Sequence, residues 1–192
     1  MFNLKIIIAS TRPGRKGPAI AKWITAAAQA DPRFSAEVLD LATINLPMMD
    51  EPNHPRLQQY QHQHTKDWSA TIGAADAFIF VMPEYNFGYT APLKNALDFL
   101  FNEWAHKPVG LVSYGGIGAG MRAVQLLKPV LVALRMTPAA DVPIPFFSKL
   151  IDAEGVFQPT EELTKSAAGM LNNLAKWSPV LAQLREPVKQ VG

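Results

Sequence analysis

The chain has 192 residues, 48% hydrophobic and 18% charged, a balance that suits one globular domain and excludes a disordered chain. Eighteen Lys and Arg against sixteen Asp and Glu leave a net charge of +2, too small to argue for nucleic acid or a membrane surface as partner. There is no cysteine, which excludes disulfides, thiolate metal sites and a cysteine nucleophile.

An apolar run at 4–9 reads as a first strand, with no signal-peptide pattern before it. Ile20, Ile24, Ala27 and Ala28 then share one helical face, and a second strand follows at 36–41. A long, proline-bearing connection at 42–56 leads to a looser stripe of Leu57, His64, Trp68 and Ile72. The third strand, 77–82, is continuously apolar, as a parallel strand covered on both faces would be. Leu93, Ala96, Leu97, Leu100, Phe101 and Trp104 predict one amphipathic helix after it. A fourth strand at 109–113 precedes a helix through Val124, Leu127, Leu131 and Leu134, in which Pro129 removes a hydrogen bond. A weaker fifth strand at 139–144 opens a second long connection, 143–159, expected to pack over an edge or a site. Thr160 is the expected N-cap of a last helix through Leu163, Ala167, Met170, Leu171 and Leu174, with Glu161 and Glu162 in its first turn. The tail after Pro179 has no clear pattern and is expected to be loose.

Five alternations of strand and helix predict one α/β domain over 1–192, a doubly wound parallel sheet with right-handed crossovers. Such sheets bind ligands at the carboxyl ends of their strands. No apolar run approaches the ~18 residues of a membrane span, so a soluble cytoplasmic protein is the expectation.

Three loops fall at that edge. Loop one, 9–18, sets two hydroxyls, two glycines and the cations Arg12, Arg15 and Lys16 beside a helix N-terminus. That combination suits a phosphate, the alternative being a solvated basic turn. Neither the Walker A pattern nor the dinucleotide fingerprint is present, so a mononucleotide fits better than ATP or a tightly held dinucleotide. Loop two, 83–90, offers the flat rings of Tyr85, Phe87 and Tyr89 with the amide of Asn86: a cleft for a planar heterocycle, or a structural turn capping the core. Glu84 either holds this loop or touches a ligand. Loop three, 113–120, has four glycines that let its backbone approach a ligand, or make it a flexible turn. Arg122 is structural or meets an anion. The four histidines are scattered, His62 and His64 on different sides of a helix, and no metal site is expected. Asp98 pairs with a nearby cation rather than catalysing.

Ser10-Thr11-Arg12-Pro13-Gly14-Arg15, Pro83-Glu84-Tyr85-Asn86, Ser113-Tyr114-Gly115-Gly116 and Leu93-Lys94-Asn95-Ala96-Leu97-Asp98, in this order and spacing, resemble the NADPH-dependent FMN reductase family. The resemblance covers about residues 3–175. It implies a flavodoxin-like fold with strand order 2-1-3-4-5. It implies FMN as cofactor, with Ser10, Arg12, Lys16 and Gly17 on the phosphate. Pro83, Glu84, Tyr85 and Asn86 would line the ribityl chain and one ring edge, and Ser113, Tyr114, Gly115 and Gly116 would meet the ring system. It further implies a homodimer or homotetramer, with the helix carrying Phe99 and Trp104 either at the contact or turning those rings into the core. Ala119 departs from the glycine pair frequent in the family.

The activity expected from this resemblance is an NAD(P)H oxidoreductase without a dedicated catalytic residue. Hydride would pass from NAD(P)H to FMN and on to a quinone, free flavin or similar small acceptor in ping-pong order. Arg15 and Lys16 are candidates for recognising the 2′-phosphate of NADPH unless FMN occupies them. The alternatives are a flavin-binding sensor or a flavodoxin-type electron carrier, and the pI of 8.9 argues against a carrier, which is usually acidic.

Overall fold

The computed structural model describes residues 1–185. Five parallel strands, β1 (Phe2–Ile8), β2 (Phe34–Asp40), β3 (Ala77–Pro83), β4 (Pro108–Tyr114) and β5 (Thr137–Ile144), lie in the order β2-β1-β3-β4-β5. The expected order is therefore correct. Every residue of β3 and β4 is buried, which explains their unbroken apolar runs. β5 is an edge strand of mixed burial and tolerates Pro138 and Pro143, because an edge has no ladder to complete on its outer side.

Helices cover both faces. Against one pack α3 (Gln63–Gly73), α4 (Ala91–Asp98) and α5 (Met121–Ala133), around Trp68, Phe78, Phe80 and Trp104. Against the other pack α1 (Gly17–Gln29) and α6 (Glu161–Ala182), around Ile20, Ile24, Met170 and Leu174. A single turn, α2 (Leu41–Ile44), follows β2. The chain leaves β1 toward one face and β3 toward the other, so the loops after these neighbouring strands diverge and leave a crevice. Thr90 ties the two loops together: its hydroxyl donates to the Ala9 carbonyl at 2.8 Å and accepts from the Leu93 N–H of α4. Thr160 caps α6 as expected, accepting from Leu163 N–H.

Several local expectations change. The pattern that predicted one helix through Trp104 is broken at Asp98. The chain then drops Phe99 and Leu100 into the core, and a separate 3-10 turn (Asn102–Trp104) follows. Phe99 and Trp104 are fully buried, so their rings fill the core. His62 lies just outside α3 as its N-cap residue, so helical spacing does not apply, and its ring stacks on His64 at 5.2 Å. α6 continues through Pro179 to Ala182 and a turn follows at 183–185; the rest of the expected loose tail, 186–192, lies outside the described residues. No helix among the described residues is long and apolar enough to cross a membrane.

Candidate functional site

Loop one leaves β1 at Ala9 and enters α1 at Gly17. Its first hydroxyl, Ser10 Oγ, is fully buried and makes no hydrogen bond of normal geometry among the described residues, although it lies close enough to the Tyr114 hydroxyl to lower that group's pKa. A buried, unsatisfied hydroxyl costs about 1–3 kcal/mol. It stands beside Gly17 and the Tyr114 hydroxyl: a Cβ on Gly17 would lie 2.4 Å from Ser10 Oγ and 2.9 Å from Tyr114 Oη. Glycine here lets α1, loop one and the end of β4 approach closely. Burial pushes the Tyr114 pKa up to about 12, against a smaller lowering by Ser10, so the hydroxyl remains a donor at neutral pH. α1 carries no acidic residue in its first turn, and Lys16 at its N-cap makes no side-chain cap. Its positive end is therefore uncompensated.

The three cations of loop one differ. Arg15 makes a two-pronged pair with Asp40, both contacts 2.6 Å, and also donates to the Ser10 carbonyl at 2.8 Å. It is tied into the scaffold with its charge paired, although it also lines the cleft. Arg12 and Lys16 make no ion pair among the described residues. The Arg12 guanidinium lies 5.8 Å from the Tyr85 ring centre.

Loop two is a tight hairpin. Tyr85 and Gly88 exchange two backbone hydrogen bonds of 2.9 Å around Asn86 and Phe87, both at positive φ. Asparagine tolerates this conformation and phenylalanine does not, so the turn is strained at Phe87. Phe87 is 61% exposed, and Arg122 lies 4.4 Å from its ring centre. Glu84 accepts from the Arg122 backbone N–H at 3.0 Å and from its guanidinium at 3.1 Å. Glu84 thus holds loop two against the start of α5.

Loop three is fixed from two sides. Ser113 donates to the Ala119 carbonyl at 2.8 Å, while the Gly116 and Gly115 carbonyls accept from Phe146 N–H at 3.1 Å and Phe147 N–H at 3.4 Å. Ala119 adopts φ +51°, a left-handed conformation glycine would take without strain. The Phe147 ring meets Tyr114 edge-on at 5.0 Å.

The three loops enclose a cleft of about 290 Å³. Of the residues expected at a site, Arg12, Lys16, Pro83, Glu84, Tyr85, Tyr114, Gly115 and Gly116 line it. Ser10 and Gly17 form the cradle at the Tyr114 hydroxyl. Two residues stand apart. Ser113 spends its hydroxyl on Ala119, and Asn86 shapes the turn from an exposed position outside the lining. The Tyr114 hydroxyl lies beside Ser10 and Gly17 of loop one. Gly14 and Phe147 line the cleft unforeseen; the long connection 143–159 was the signal for Phe147.

The residues present fit FMN. The orphaned Ser10 hydroxyl, the glycine-lined cradle and two unpaired cations suit a phosphate, and a wall of Tyr85, Gly115 and Gly116 suits a flat ring.

Comparison with known proteins agrees. The model of the NADPH-dependent FMN reductase family matches residues 2–149. An NAD(P)H-dependent FMN reductase of Schizosaccharomyces pombe is 42% identical over 165 residues, covering 85% of this chain and 82% of that protein. An NADPH:quinone oxidoreductase of Arabidopsis thaliana is 46% identical over 63 residues, covering 31% of this chain and 32% of that protein. The solved flavoenzyme NAD(P)H:(acceptor) oxidoreductase FerB of Paracoccus denitrificans shares the fold, with a TM-score of 0.75 at 20% identity over 94% of this chain and 98% of that one. The chain belongs to the NADPH-dependent FMN reductase family and is an oxidoreductase that uses FMN with NAD(P)H.

Proposed function

We propose that the chain carries electrons from NAD(P)H to a small acceptor, a quinone or free flavin, in a ping-pong cycle at the cleft between loops one, two and three. The observation that carries the reading is the cleft itself: Arg12 and Lys16, in no ion pair among the described residues, line it at the uncompensated N-terminus of α1, opposite Tyr85, Gly115 and Gly116. Ser10, Gly17, Arg12 and Lys16 would hold the phosphate, joined by the Tyr114 hydroxyl. Tyr85, Gly115 and Gly116 would lie along the ribityl chain and ring. When bound, FMN supplies the redox centre, taking two electrons from NAD(P)H and giving them to the acceptor.

The residues of the chain bind and orient. Glu84 is paired with Arg122, and burial keeps Tyr114 protonated, so neither is poised as a general base. A cycle needing no protein acid or base, with both substrates using one place in turn, is consistent with that. The quinone oxidoreductase relative supports the acceptor class. A homodimer or homotetramer and a cytoplasmic location belong to the same proposal. Initial rates of NADPH oxidation, measured at several fixed quinone concentrations, test the cycle. Parallel double-reciprocal lines are expected; lines that intersect would require both substrates to be bound together and would end the shared-place reading.

A further inference from the structure

Arg15 is the cation of loop one that the cofactor site leaves unexplained. It sits at the end of the loop, yet its guanidinium returns to the Ser10 carbonyl at the start, 2.8 Å away. Its two prongs meet both oxygens of Asp40, the last residue of β2, at 2.6 Å each. Asp40 is itself fixed, accepting from the Ala42 N–H at 3.0 Å as the cap of α2. The two side chains are 19% and 22% exposed. The contacts therefore close residues 10–15 into a ring and pin that ring to the neighbouring strand.

We infer that Arg15 and Asp40 are positioning residues for the cofactor phosphate: the pair holds loop one in the shape that brings Ser10 Oγ, Gly17 and Tyr114 Oη together, and neither side chain contacts the phosphate. This rests on the FMN reading above. Three of the five guanidinium N–H groups are already spent, in the planar fork geometry that carboxylates match. The positive charge is neutralised locally by Asp40. A phosphate monoester carries about −1.5 to −2 at pH 7, which Arg12 and Lys16 balance without Arg15. Arg15 does line the cleft, so the competing account makes it a phosphate ligand.

The two accounts predict opposite signs for Asp40→Asn. A positioning pair loses its anchor and FMN binds more weakly; a ligand held back by Asp40 would be released and FMN would bind more tightly. The experiment is flavin fluorescence quenching with FMN and with riboflavin, on wild type, Asp40→Asn, Arg15→Lys and the double variant, with thermal unfolding alongside. Arg15→Lys keeps the charge and removes the fork. We expect FMN affinity to fall about tenfold or more in each single variant and riboflavin affinity to change less than about twofold. The double variant should be no worse than the worse single one. Unchanged or tighter FMN binding in Asp40→Asn overturns the inference. So does a fall in riboflavin affinity in step with FMN, which would mark a general loosening of the fold. Asp40→Glu, which keeps the charge but shifts the fork, takes the place of Asp40→Asn if that variant does not fold. A wild-type chain that binds neither flavin overturns the cofactor reading, and this inference with it.

Discussion

Replacing Gly17 with Ala tests the cradle at its tightest point. The new methyl would lie 2.4 Å from Ser10 Oγ, 2.9 Å from Tyr114 Oη and 3.1 Å from Ile8 Cγ2. The first distance cannot be sustained. Ser10 is fully buried and has no solvent to rotate into, so loop one or the start of α1 must shift. Overpacking of this kind costs about 1–3 kcal/mol. Against it, replacing glycine at an ordinary φ recovers about 0.4–1 kcal/mol of unfolded-state entropy. The net is a loss of roughly 0.5–2 kcal/mol, or about 1–8 °C in Tm for a chain of this size. The effect on ligand should be larger, because the shift moves Lys16 and the start of α1, which border the cleft where a phosphate would bind. We expect FMN affinity to fall at least about 100-fold, or about 2.7 kcal/mol. Thermal unfolding with and without FMN reads both quantities, since a ligand at 100 times its Kd adds about 2.7 kcal/mol to stability. Gly169→Ala is the control: this exposed α6 position has nothing within 4 Å of an added Cβ, and alanine there should stabilise by about 1 kcal/mol. A Gly17→Ala protein with the same FMN-induced rise in Tm as wild type would refute the argument.

Other predictions follow from the same contacts. Ser10→Ala removes a buried hydroxyl that has no partner, so the protein without flavin should be unchanged or up to about 1 kcal/mol more stable while FMN binding weakens about tenfold; a clear loss of stability without FMN would show that the hydroxyl is already satisfied. Trp104→Ala should destabilise by about 3–5 kcal/mol in urea unfolding, because the indole is fully buried among Trp68, Phe78 and Phe80; a loss below about 1 kcal/mol would contradict its place in the core. Glu103 is buried, which raises its pKa, but hydrogen bonds led by those from Ser69 and Gln58 outweigh burial and hold it below the ordinary 4.5. Its stabilisation is then complete above about pH 4.5 and lost as pH falls through the lower folded value. Stability measured down that limb should fall less steeply in Glu103→Gln, and equal slopes would refute the assignment.

The sequence was informative wherever one chemical pattern had one physical cause. β3 and β4 are buried along their whole length, so continuous apolar runs located them to within a residue or two. The cleft residues were legible because ligands of an open parallel sheet sit at the carboxyl ends of its strands, where loops that part to opposite faces leave a crevice. Contacts between distant residues were not. Nothing in the spacing of Arg15 and Asp40, 25 positions apart, shows that they form a fork, so Arg15 read as one more free cation. Phe147 was signalled only by the long connection that carries it; the backbone bonds of Phe146 and Phe147 to Gly116 and Gly115, which bring it to the cleft, have no sequence signature. The helical spacing continued past Asp98 because Leu100 and Trp104 are core residues and Phe101 packs against the core, but the chain delivers them from irregular backbone. Periodicity reports burial and not the backbone that achieves it.

The most direct test of the account is the visible absorption spectrum of the protein with FMN added, followed by NADPH without oxygen and then a quinone. The account predicts bound-flavin bands shifted from those of free FMN, bleached by NADPH and restored by the quinone. Bands identical to free FMN, together with unretained flavin after gel filtration, would contradict the claim that the Ser10, Gly17 and Tyr114 cradle holds this cofactor.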